Sequence, residues 1–118
     1  MRGVSIVGIG QVPVVSATAD KLRTLGATVV RSAMEDAGVE RVDALFASNM
    51  LADELQGQTH IAALIADEAG LAGIEALEAQ AAMASGAAAL RMAYLAVGSG
   101  ELDLVVVVGV EKMSEGQA

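Results

Sequence analysis

The run Gln80-Ala81-Ala82-Met83-Ala84-Ser85-Gly86 stands where a strand-like segment gives way to a helix of small residues. A turn there puts one side chain at the first turn of a helix, where free amides and the helix dipole hold an anion and lower a thiol's pKa. It is a place for a cysteine nucleophile, and this chain has methionine. A thiolate attacks an acyl carbonyl, whereas a thioether has no proton to lose and forms no stable acyl ester. The setting suits acyl transfer and the atom does not. We expect the Met83 side chain to point into a buried, amide-rich pocket. As core filler at such a junction, a methionine would need no special account.

Other candidates carry less. Ser85 is not in a Gly-x-Ser-x-Gly elbow and has no assignable base, so it reads as a first-turn serine bonded to backbone amides. His60, near the start of a helix, is either a surface or interface histidine bonded to backbone, or a catalytic group if a nucleophile lies near it. Glu111 lies just past the last strand, on the carboxyl edge where such sheets place their sites, and reads equally as a solvated or loop-pinning carboxylate. Gly8-Ile9-Gly10 opens like a dinucleotide fingerprint, but Pro13 takes the third glycine's place and no acidic residue ends the next strand. It reads as a tight strand exit.

Four strands and three helices would have to position these groups. Gly3 to Gly10 is a short apolar run expected to be a buried strand. Thr18 or Asp20 would cap a helix whose stripe is Leu22, Leu25, Val29, Ala33 and Ala37, with Gly38 as its stop. Val42 to Ala47 is the second strand, and Ser48 to Gln58 a loop or a loop with a short turn. Thr59 would cap a second helix through Ile61, Leu64 and Ile65, ending near Gly70. Glu75 to Ala82 alternates as a third strand, Met83 to Val97 is a third helix, and Leu104 to Val110 is the strongest strand. This alternation predicts an α/β fold with a largely parallel sheet and helices on both faces, the all-aliphatic last strand central. The third helix has Arg91 as its only charge between residues 84 and 97, so something must cover the face turned away from the sheet.

Composition narrows the function. The 118 residues are one domain's worth of chain, with 54% hydrophobic residues but one Phe, one Tyr and no Trp. Seven basic residues against fifteen acidic give a net charge of −8, which predicts no nucleic-acid partner. The basic residues are scattered rather than gathered on one membrane-binding face, and no stretch reads as a bilayer-spanning helix or a signal peptide. Without cysteine there is no disulfide or thiolate metal site, and a single histidine makes no metal centre, so we expect none. A soluble, cytoplasmic protein fits this usage.

The motifs then point to a family. Ala81-Ala82-Met83-Ala84-Ser85-Gly86-Ala87-Ala88-Ala89-Leu90 resembles the nucleophile segment of thiolases, with Met83 where those enzymes carry the acyl-accepting cysteine. Gly109-Val110-Glu111-Lys112-Met113-Ser114 resembles their Gly-x-Glu-x-Met-Ser segment. Val4-Ser5-Ile6-Val7-Gly8-Ile9-Gly10 and Gly57-Gln58-Thr59-His60 are most similar to the archaeal and sterol-carrier-protein type. The motifs come in order along the whole chain.

The resemblance implies part of a five-layered αβαβα body, with residues 1–118 a partial N-terminal core domain. It implies thiolysis of 3-ketoacyl-CoA, or the reverse Claisen condensation, in lipid metabolism. Coenzyme A thioester would be the substrate, with no separate cofactor. In that scheme residue 83 accepts the acyl group, while a histidine and a second cysteine from the other half handle protons and the oxyanion. With Met83 in place, the chain as given would be inactive. Family members dimerise around the third strand, so a homo-oligomer or a complementary C-terminal half is the expected partner. The alternative is a non-catalytic, thiolase-like subunit that binds acyl-CoA or scaffolds a partner.

Overall fold

The computed structural model describes residues 1–115. Its longest element is helix α1, Leu22–Ala37. Gly38 ends α1 in the left-handed conformation that glycine tolerates best, at φ 72°, and its N–H reaches Glu35 O. Lys21 is the N-cap and contributes no side-chain bond; Thr18 Oγ1 instead accepts the N–H of Asp20. The buried face of α1 is Leu22, Gly26, Ala27, Val30 and Met34. The stripe expected from sequence shares only Leu22 with it. Leu25, Val29, Ala33 and Ala37 are half-buried on the flank that meets the N-terminal segment.

Three parallel strands follow in the order β2-β1-β3: β1 is Ala44–Ser48, β2 Glu75–Ala79 and β3 Val105–Gly109. Helix α2 is the short Ala52–Leu55, α3 is Ile61–Glu68 and α4 is Ser85–Gly98; a 3-10 turn closes at Met113–Glu115. Side chains alternate across the sheet, so Leu45, Ala47, Val106 and Val108 join Val30, Ile61 and Ile65 under α1 and α3. Ala44 and Phe46 join Ala93 of α4 on the other face, with Val105 and Val107 packed alongside. The result is a sheet sandwiched between helices.

Two expectations are corrected here. The central strand is β1, not the all-aliphatic β3: all five residues of β1 are buried, while β3 has a strand on one side only. The apolar run Gly3 to Gly10 forms no strand. It lies against α1, where a Cβ on Gly8 would stand 2.5 Å from Ala33 O and one on Gly10 2.5 Å from Val29 O. Both glycines are needed for this crossing. Ile9 N donates to Asp36 Oδ2 at 2.9 Å, and Arg2 ties the start of the chain to Val97 O, Leu102 O and Asp103. An open space of about 1690 Å³ lies between this segment, α1, α4 and β3. Ile6 and Ile9 are left exposed.

Helix α4 buries Ser85, Ala89, Ala93 and Gly98, the last of these beneath the N-terminal residues Met1 to Val4. Its other face, with Leu90, Tyr94 and Leu95, is exposed and uncovered among the described residues.

Candidate active site

The register makes the carboxyl edge of the sheet flush: Ser48 pairs with Ala79 on one side and Gly109 on the other. All three following turns therefore leave from one level. Ser48 is buried beneath them, and its Oγ lies 3.5 Å from Val108 O. A Cβ on Gly109 would stand 3.1 Å from Ser48 Oγ, so glycine lets the β3 exit pass close over β1.

The turn from β2 into α4 carries the run singled out from sequence. Ala82 is held at φ 49°, a left-handed conformation that costs a non-glycine residue about 1 kcal/mol or more. Ser85 braces the turn: its buried hydroxyl accepts Ala81 N–H at 2.9 Å and donates to Ala82 O at 2.6 Å. This is the backbone-bonding role expected of Ser85. Met83 departs from expectation. Its side chain is 95% exposed at the outer end of the turn, not buried in an amide-rich pocket. The physical reason is that no described element lies over this side of α4, so the turn at the strand tip has no outer wall.

Glu111 does the opposite of facing solvent. Its Oε1 accepts Met50 N–H at 2.7 Å, and its Oε2 accepts Leu51 N–H at 3.2 Å and Asn49 Nδ2–H at 2.9 Å. Asn49 is 2% exposed; it also donates to Val110 O at 2.7 Å, and its Oδ1 accepts Ala52 N–H at 2.7 Å. Gln56 Nε2 donates to Lys112 O at 2.9 Å and Glu115 Oε1 at 3.1 Å, while the buried Lys112 donates to Glu115 Oε2 at 3.2 Å. Gln56 and Lys112 together hold the Glu115 carboxyl below the ordinary carboxylate range. At the opposite edge of the sheet the N–H groups of Asp103 and Leu104 do the same to Asp43.

His60 is exposed and caps α3 in a left-handed conformation at φ 61°. Its ring enters no hydrogen bond or ion pair among the described residues. The structure thus brings Met83 and Ser85 into one turn and joins Glu111 to the loop after β1. Neither Glu111 nor His60 bonds to the Met83 turn. Sequence reasoning passed over Asn49, whose position one residue past a strand and three before the amide it caps was the available signal. Gln56 had none. Among the described residues no group of His, Asp and Glu is arranged to hold a metal, and no helix is long and apolar enough to cross a membrane.

Residues 4–118 match the family model of the thiolase N-terminal domain. The chain belongs to the thiolase family. This thiolase-family chain is 43% identical over 117 residues to an acetyl-CoA acetyltransferase of Methanocaldococcus jannaschii, covering 98% of the chain and 30% of that protein. It is 41% identical over 117 residues to an acetyl-CoA acetyltransferase of Methanothermobacter thermautotrophicus, with the same two coverages of 98% and 30%. The chain thus spans about 30% of the length of these curated relatives. Among solved structures it resembles 3-oxoacyl-[acyl-carrier-protein] synthase III of Aquifex aeolicus, with TM-score 0.74 and 23% identity over 84% of this chain and 32% of that one. It also resembles the priming β-ketosynthase of the R1128 polyketide pathway, with TM-score 0.72 and 30% identity over 80% and 28%. The sheet and helices described above are a thiolase-like fold.

Proposed function

We propose that this thiolase chain is a partial N-terminal core domain of an acyl-CoA acetyltransferase, and that as given it does not perform the reaction. Met83 stands at the nucleophile position. One observation carries this: a braced turn at the carboxyl edge of the parallel sheet, at the start of α4, presents at Met83 a sulfur that cannot become a thiolate. The relatives named acetyl-CoA acetyltransferase support the substrate class, an acyl thioester of coenzyme A, and either thiolysis or its reverse condensation. No cofactor beyond that thioester is needed. A second copy or a complementary C-terminal half would cover the bare face of α4, and the cytoplasm suits a chain without cysteine.

The test is mass spectrometry after incubation with acetyl-CoA. The chain should gain no acetyl group. An adduct mapping to residues 83–86 would overturn the inactivity. The second reading, a non-catalytic subunit that binds acyl-CoA or scaffolds a partner, is favoured by the same missing thiol. Calorimetry with coenzyme A, together with a search for a co-purifying partner, separates the two: the absence of both binding and a partner would remove the second.

A further inference from the structure

Glu111 is a carboxylate on the same edge of the sheet as the candidate nucleophile turn, the kind of group usually assigned proton transfer. Its hydrogen bonds give it another role. Three N–H donors from residues 49–51 converge on its two oxygens, filling most of the roughly four lone-pair positions a carboxylate offers. Asn49 makes three bonds: both amide hydrogens and its oxygen are in use, two of these bonds reaching across to Val110 and Glu111. The strap also runs in reverse, because Gln56 at the far end of α2 sends its amide back to Lys112 O and Glu115. The segment 49–56 is thus tied to the exit of β3 at both ends, by a side chain from each partner.

We propose that Glu111 is a positioning residue. It holds residues 49–56 as a fixed wall of the carboxyl edge, so this segment is not a lid and Glu111 is not an acid–base group for residue 83. The inference does not depend on the acyl-transfer reading, since it concerns bonds within this chain only.

Amide hydrogen exchange in the wild-type chain tests it first. The Met50, Leu51 and Ala52 amides should open only with the β1 core amides of Phe46 and Ala47 as urea is raised, because a wall opens when the sheet opens. Opening of these amides far ahead of β1 would make the segment a lid and overturn the proposal. In E111Q an NH₂ group replaces one of the two carboxylate oxygens and faces either Met50 N or the pair Asn49 Nδ2 and Leu51 N. Exchange at Met50 or at Leu51 should then rise roughly 10- to 100-fold relative to Phe46, the size expected for losing a bond to a charged acceptor. Uniform acceleration across the sheet, or none, would overturn it. Met83→Cys supplies the last readout. The pH profile of its alkylation by iodoacetamide should be the same with Glu or Gln at position 111; a displaced profile in the double variant would make Glu111 an acid–base partner and sink the assignment.

Discussion

At the scale of single residues, the turn 80–86 shows how a position is prepared for chemistry by backbone alone. Ala82 sits at φ 49°, where its Cβ is unfavourable, and what holds it there is the Ser85 hydroxyl, bonded to both Ala81 N and Ala82 O. The turn stores strain and a buried side chain balances it. Ser85→Ala removes both bonds, but Ala81 is exposed to water and Ala82 O keeps the Ser85 N–H, so we expect a loss of about 0.5–1.5 kcal/mol in urea unfolding. Ala82→Gly in the same background should recover part of it, because glycine adopts positive φ freely. A Ser85→Ala variant as stable as the parent would mean that the turn needs no brace. Legibility follows the same line. The serine's role was readable from its place in the first turn, whereas the exposure of Met83 was not, because what covers a side chain is decided by distant elements.

At the scale of elements, α1 shows which part of an amphipathic pattern a sequence reveals. Leu22, Leu25, Val29, Ala33 and Ala37 make the obvious stripe, yet α1 buries the flank with Gly26, Ala27, Val30 and Met34. The reason is size: Gly26 leaves room for Ile65 of α3, which a Cβ at position 26 would meet at 2.5 Å. A glycine in mid-helix costs about 1 kcal/mol of helix propensity against alanine, and here close contact between α1 and α3 offsets it. This fixes a prediction. Gly26→Ala alone should destabilise by roughly 1–3 kcal/mol through overpacking, and Ile65→Ala alone by roughly 2–5 kcal/mol through its cavity. The double variant should be more stable than the sum of the two, since the new methyl group enters the space that Ile65 left. Strict additivity in thermal or urea unfolding would show that the two helices do not meet as described. Strand positions were legible because short aliphatic runs bounded by Gly or charge leave little choice. Pairing was not: hydrophobicity marked β3 as central, but centrality depends on which strands lie beside it, and β1 has one on each side. The N-terminal run looks like a strand for the same reason, yet it lies across α1 rather than along the free edge of β3.

At the scale of the whole molecule, apolar surface and charge pull in opposite directions. Leu77, Met83, Leu90 and Tyr94 are at least 46% exposed, and they lie on β2 or on α4 and the turn before it. Covering a patch of roughly 300 Å² contributes about 7 kcal/mol at 25 cal/mol per Å². The lost freedom of association is of the same order. Attraction and cost therefore nearly cancel, and the net charge of −8 on each copy adds repulsion that salt screens. We expect concentration-dependent self-association in sedimentation velocity, stronger at about 0.5 M than at 0.05 M salt, because screening removes repulsion while the apolar term persists. Leu90→Glu and Tyr94→Glu, at exposed positions that carry little of the core, should each shift the boundary toward monomer without lowering the unfolding midpoint. If association instead weakened with salt and ignored both substitutions, an ionic contact elsewhere would be responsible, and the bare face of α4 would have no part in it.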